Sequence, residues 1–216
     1  EHPRHAEGYG VGAVVRWRHH SWWYETRPVI ASSADGEITL GDRSFSKHGP
    51  NEWDRKGWGF YIDHKLEELD APGEWYFDAE EGKVYFYPPE GMNPDEALVE
   101  GTVLNKGLSV RDATVRHICF RHQKDTGLEI DGRTVVEHCR FEGIGRDATV
   151  SERSAGGVAL RAADDTDNAR VSHNVFRDNL NNSIGWYADR DATGSSVIER
   201  NVVERSGVVR GYGGSG

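Results

Sequence analysis

Residues 136–141 read VEHCRF, and the pattern recurs as VRHICF at 115–120, VSHNVF at 171–176 and IERNVV at 198–203. The four segments start 21, 35 and 27 residues apart. A second set precedes them in register: GLSV at 107–110, GLEI at 127–130, GVAL at 157–160 and SIGW at 183–186. Each unit thus holds two short strand-like segments joined by a turn. A repeat of roughly 20 to 30 residues is typical of a solenoid.

The repeat has neither a leucine ladder nor helical segments, and its units are rich in β-branched residues, so a parallel β-helix is predicted. Two interior columns follow from the alignment: Leu108, Leu128, Val158 and Ile184, and then Ile118, Cys139, Asn174 and Asn201. The two asparagines are placed to form an amide ladder. The 35-residue interval between the repeats that start at 136 and 171 contains additional residues, 144–156. They are predicted to form a loop extruded from one coil.

The two cysteines, Cys119 and Cys139, fall at positions of opposite parity on this repeat, so a disulfide between them is disfavoured. The cellular compartment is left open by this observation. The sequence stops at GYGGSG, where another coil is expected to begin, so the β-helix is predicted to be truncated at its C-terminus.

Residues 1–100 lack the repeat and are predicted to form a small β-sandwich-like module, followed by β-helix coils at 101–216. The segment 70–89, DAPGEWYFDAEEGKVYFYPP, predicts a hairpin with aromatic side chains on both faces. Packing between two apolar layers is the favoured interpretation of those faces, and a platform that stacks on sugar rings is the alternative. Six of the 7 tryptophans lie in this module, which adds to the same choice.

The amino-acid composition limits the classes of molecule that the chain is expected to bind. The chain has 26 basic and 36 acidic residues, a net charge of -10 and no basic stripe, which argues against nucleic acid. No segment approaches the roughly 18 consecutive apolar residues that a membrane-spanning helix needs.

The segment GWGFYIDHKLEELDAPGEWYFDAEEGKVYFYPPEG at 57–91, together with coils such as VSHNVFRDN, resembles the pectate-lyase-like superfamily of right-handed parallel β-helix carbohydrate-active proteins. It is similar, more narrowly, to bacterial β-helix glycoside hydrolases of the xylosidase and fucosidase or xylanase type. The resemblance covers about residues 10–210. It implies an all-β, right-handed β-helix, secretion or a periplasmic location, and a polysaccharide or oligosaccharide substrate.

Outward-facing columns are the candidate groove floor. The alignment predicts Ser109, Glu129, Ala159 and Gly185 in one column, and Arg111, Asp131, Arg161 and Tyr187 in the next. Glu129 and Asp131 share one face, with Cα atoms about 6.5–7 Å apart by strand geometry. Glycoside hydrolysis needs two carboxyl groups astride the bond, so this pair is the predicted catalytic pair, and solvated strand carboxylates are the alternative.

The sequence suggests further candidate catalytic and binding residues. Asp189, near Asp191, is a third predicted catalytic carboxylate, and the predicted substrate-binding residues are Arg161, Tyr187, Trp186, Glu152 and Arg153, the last two on the extruded loop. His122, His138 and His173 are candidate general bases, although His117, His138 and His173 form one column and indicate a structural stripe. No cofactor is expected, but DDTDN at 164–168 has oxygen ligands that suit calcium, with a polar turn as the alternative.

Three functions remain open. The favoured one is a glycoside hydrolase with a carboxylate pair, and the second is a polysaccharide lyase that acts on uronates. A groove without a lysine and an acidic net charge weigh against the lyase. The third is a non-catalytic glycan-binding or adhesion solenoid.

Overall fold

The computed structural model describes residues 11–18, 24–32, 38–41, 60–145, 157–187 and 194–207. The chain divides into two compact units, Glu1–Glu100 and Gly101–Gly216. The described residues are nearly all β, apart from a short 3-10 helix at Leu66–Glu68.

The first unit contains a four-stranded antiparallel sheet and a separate hairpin. The sheet has the order β3-β2-β1-β4. Its strands are β1 (Val14–Arg18), β2 (Tyr24–Ser32), β3 (Ile38–Leu40) and β4 (Phe60–Asp63). Ala13 and Val15 are buried, and Ile38 and Ile62 pack against them. A small apolar cluster therefore holds this sheet together.

The hairpin is formed by β5 (Trp75–Asp78) and β6 (Lys83–Phe86), and Trp75 pairs with Phe86. This register confirms the predicted hairpin and puts Trp75, Phe77 and Val84 on one face. The prediction that both faces are packed is wrong for this face, since those three side chains are 65%, 51% and 63% exposed.

The described residues of the second unit form three parallel sheets of four strands each. The first sheet contains β7 (Lys106–Arg111), β10 (Thr126–Asp131), β13 (Val158–Ala162) and β16 (Asn182–Trp186). The second contains β8 (Thr114–Arg116), β11 (Val135–Glu137), β14 (Arg170–Ser172) and β17 (Val197–Glu199). The third contains β9 (Cys119–Arg121), β12 (Arg140–Glu142), β15 (Val175–Arg177) and β18 (Val202–Glu204). Each coil thus adds one strand to every sheet, an arrangement compatible with a β-helix-like solenoid.

The repeated histidines form the corner between the second and third sheets. His117, His138 and His173 have φ values of 56°, 54° and 57°, a left-handed conformation that turns the chain between two short strands. Their rings stack, with centroids 5.4 and 5.2 Å apart. These observations support the predicted structural stripe.

Phenylalanine side chains that recur at the same position of the repeat fill the interior. Phe120, Phe141 and Phe176, three residues after each histidine, are buried and stack with centroids 5.0 and 4.6 Å apart. Identical side chains in successive coils therefore meet face to face, and this column forms the centre of the core.

Buried amides satisfy the backbone at the same corner. The Cys139 N–H donates to Asn174 Oδ1 at 2.9 Å, and Asn174 Nδ2 donates to the Val136 carbonyl and to Asn201 Oδ1, each at 3.0 Å. This geometry confirms the predicted amide ladder. Cys139 is buried, Cys119 is exposed and both are free thiols, as the parity argument predicts.

In the third coil, the observed strand register differs from the predicted alignment by two residues. Leu128 pairs with Leu160, so Leu160 and not Val158 continues its column. The same shift puts Arg161 beside Glu129, whereas the sequence alignment placed it beside Asp131. A shift of two residues preserves the inward and outward alternation, which is why the hydrophobic pattern did not reveal it.

Candidate functional site

The outer face of the first sheet carries a row of interacting side chains centred on Glu129. The strand register aligns Ser109, Glu129, Arg161 and Gly185. Glu129 Oε2 lies 3.3 Å from Arg161 Nη1 and 3.7 Å from Lys106 Nζ. The side chains of Glu129 and Arg161 are only 24% and 21% exposed, so this pair is partly shielded from water.

Tyr187 extends the row at its far end. The guanidinium carbon of Arg161 lies 5.3 Å from the centre of the Tyr187 ring, within reach of a cation–π interaction. The ring lies against the outer side of Gly185, where an added Cβ would be 2.7 Å from Tyr187 Cε2. A glycine at this position therefore makes room for the ring.

Trp186 does not belong to this row. It packs, partly buried, against the core of the second unit, because it ends β16 and its side chain lies on the opposite face from that of the preceding Gly185. The structure therefore places this predicted substrate-binding residue on the inner side of the sheet, apart from Tyr187.

Asp131 lies on the same face of β10 as Glu129 but has other partners. It forms an ion pair with Arg111, and its Oδ1 accepts the Gly132 N–H at 2.8 Å. Arg111 also contacts Asp165 at 3.2 Å, and the hydrogen bond to Asp165 and the charge of Asp131 raise the pKa of Arg111. The two predicted catalytic carboxylates are thus held by different cations.

A carboxyl group that the sequence analysis missed lies at the other end of the site. Asp125 is half-buried immediately before β10, and its N–H donates to the Asn105 carbonyl at 2.8 Å. Burial raises the pKa of Asp125, the charges of Lys106 and Arg161 oppose that rise, and the charge of Glu129 adds to it. Asp125 precedes the strand, so the alternation within the strand gave no signal for it.

Two glycines meet beside the backbone of Asp125. A Cβ on Gly157 would lie 2.2 Å from the Asp125 carbonyl oxygen and 2.5 Å from Gly145 Cα. Gly145 and Gly157, the described residues on either side of 146–156, therefore meet beside the backbone of Asp125. The predicted loop residues Glu152 and Arg153 lie outside the described residues, as do the carboxylates at 189 and 191.

The prediction that the groove lacks a lysine is wrong. The Lys106 ammonium lies beside Glu129. It was missed because Lys106 opens β7, where the inward and outward alternation is not yet established. The site therefore combines two carboxyl groups with two cations.

The DDTDN segment forms a hydrogen-bonded turn. Thr166 Oγ1 donates to the Ile130 carbonyl at 3.0 Å, and Asn168 Oδ1 accepts the Ser195 N–H at 3.2 Å. Among the residues that the structure describes, no three His, Cys, Asp or Glu side chains are grouped to hold a metal ion.

The described part of the chain contains no helix of the length and apolarity that crossing a membrane requires. Comparison with known proteins gives no match: no family model, no curated protein and no solved structure is significantly similar to this chain.

Proposed function

We propose that this chain is a polysaccharide-active glycoside hydrolase that cleaves glycosidic bonds on the outer face of the first sheet. The observation that carries the proposal is the position of Glu129, partly shielded between Lys106 and Arg161, with the Tyr187 ring beside it. We propose with it that the second unit is a right-handed parallel β-helix of the pectate-lyase-like kind, that a β-sandwich-like module precedes it, and that the protein is a secreted or periplasmic bacterial protein.

The chemistry suits these side chains. An ionised carboxylate is needed either to attack the anomeric carbon or to activate water. Lys106 and Arg161 both contact the Glu129 carboxylate. Arg161 offers further N–H donors for sugar hydroxyls, and an aromatic ring such as that of Tyr187 can pack against the C–H face of a sugar.

A polysaccharide lyase is the second candidate, and one observation favours it. Lys106 and Arg161 lie on either side of Glu129, so the site carries the cations that a uronate substrate and its developing negative charge require. Elimination would leave an unsaturated sugar, whereas hydrolysis would not, so the products distinguish the two reactions.

The test is an assay of purified protein on neutral and uronate polysaccharides, with both reducing-sugar release and absorbance near 235 nm recorded. Hydrolysis predicts reducing sugar without the absorbance change, and Glu129→Gln should lower the rate by at least about a hundredfold. Glu137→Gln is the matched control, because Glu137 is similarly shielded but pairs with Arg116 on the second sheet.

Three outcomes would contradict the proposal. Absorbance with reducing-sugar release would indicate the lyase, and glycan binding without either product would indicate a binding solenoid. If Glu129→Gln and Glu137→Gln retained equal activity, the site assignment would be wrong.

A further inference from the structure

Hydrolysis at Glu129 needs a second carboxyl group that carries a proton toward the leaving oxygen. Asp131, the partner that the sequence suggested, is poorly suited to that task. Its ion pair with Arg111 and the hydrogen bond that it accepts from Gly132 N–H both use the carboxylate as an acceptor. Both carboxylate oxygens of Asp131 therefore already accept a hydrogen bond, Oδ2 from Arg111 and Oδ1 from Gly132.

Asp125 meets the requirement from the opposite end of the row. It is half-buried, its backbone is fixed by the hydrogen bond to Asn105, and Gly157 packs directly against its carbonyl oxygen. Thr126 pairs with Lys106, so Asp125 lies where β7 and β10 begin. Gly157, itself in contact with Gly145, lies against one side of its backbone.

We propose that Asp125 is the proton donor of this site and that Glu129 is its ionised partner. The inference rests on the proposed hydrolase function and deepens it. It assigns different tasks to the two carboxyl groups because they differ in environment: Asp125 is half-buried beside Gly157, whereas Glu129 directly contacts Lys106 and Arg161.

The electrostatics agree with that division. Three charged groups act on Asp125: Lys106 from β7, Glu129 from β10 and Arg161 from β13. Burial is the largest cause that raises the pKa of Asp125, and the negative charge of Glu129 adds to the effect. Lys106, Arg161 and a hydrogen bond with the Thr126 side chain act in the opposite direction, and the net pKa is raised. Neutralising Glu129 should therefore lower the pKa of Asp125, as happens when a carboxylate neighbour loses its charge.

The Asp125 carboxyl transfers its proton to the glycosidic oxygen as the bond from that oxygen to the anomeric carbon breaks, and the bonding electron pair stays with the leaving oxygen. The anomeric carbon then bonds either to a Glu129 oxygen or to a water oxygen whose proton Glu129 accepts. In the first route water later hydrolyses the glycosyl ester, so either route consumes one water.

The kinetic test compares Asp125→Asn with Asp131→Asn, and Asp178→Asn serves as control because that carboxylate pairs with Arg205 at a distant corner. The probes are matched 2,4-dinitrophenyl and methyl glycosides of xylose, fucose, arabinose and galactose, along with the polysaccharide that the wild type cleaves. Asp125→Asn should lose about a hundredfold or more on the methyl glycoside and polysaccharide but less than about tenfold on the dinitrophenyl glycoside, whose leaving group needs no proton. The alkaline limb of its pH–rate profile should also disappear.

An NMR titration supplies a readout that does not depend on activity. The ¹³C carboxyl signal of Asp125, assigned by its absence in Asp125→Asn, should titrate above the ordinary aspartate range and shift to lower pH in Glu129→Gln. A titration at or below the ordinary range would overturn the inference. Equal loss on both glycosides, or selective loss in Asp131→Asn instead, would overturn it while leaving the hydrolase proposal intact. A wild type that cleaves no glycan would overturn both.

Discussion

The buried amide ladder gives the sharpest stability prediction. Replacing Asn174 by alanine removes the acceptor of the Cys139 N–H and the donor to the Val136 carbonyl, and both groups lie in the interior. An orphaned buried polar group costs about 1–3 kcal/mol, so two of them predict a loss of about 2–6 kcal/mol in the free energy of unfolding. Urea unfolding followed by far-ultraviolet circular dichroism measures this loss, and hydrogen exchange at the Cys139 amide locates it.

Asn93→Ala is the matched control. Its side-chain oxygen accepts the Asp95 N–H in an exposed turn, where water can replace it, so its loss should stay below about 0.5 kcal/mol. The reasoning is refuted if the two alanine variants unfold at the same urea concentration, or if exchange at Cys139 is unchanged in Asn174→Ala.

Three further predictions concern the His138 corner, the two thiols and the half-buried Asp125 carboxyl group. His138→Val should cost about 1–2 kcal/mol because a β-branched residue is strained at φ 54°, while His138→Asn should cost less; equal urea midpoints would contradict this. Iodoacetamide should label Cys119 in the native protein and Cys139 only after unfolding, since burial of Cys139 excludes the reagent, and mass spectrometry counts the labels. The raised pKa of Asp125 means that the folded state binds the proton more tightly, so its charge destabilises the fold as pH rises from below the unfolded pKa through the folded pKa. Asp125→Asn should therefore be more stable than wild type at pH 7 and equal to it near pH 3; an unchanged difference would oppose this.

The sequence predicts the interior of the second unit well where identical side chains recur. The spacing of VxHxxF places a valine inside, a histidine at the corner and a phenylalanine in the stack, and the asparagine column follows from the same alignment. The predicted register of the third coil is wrong because Val158 and Leu160 are both apolar and share one parity, so the sequence pattern does not distinguish them.

The candidate site was predicted only in part for a related reason. Glu129 is visible because it alternates with buried residues on β10. Asp125 and Lys106 lie at or before the start of a strand, and their environment comes from neighbouring coils. Their proximity to Glu129 is a property of the stacking of the coils, which no local pattern encodes.

The contact between Gly145 and Gly157 distinguishes a segment that can vary from coils that cannot. Because Gly145 and Gly157 meet, the segment between them can change in length or composition without moving β12 or β13. The coils, in contrast, must keep their corners and columns. Insertions and replacements are therefore expected to be tolerated between these two glycines, while the stacked coils tolerate few changes of length.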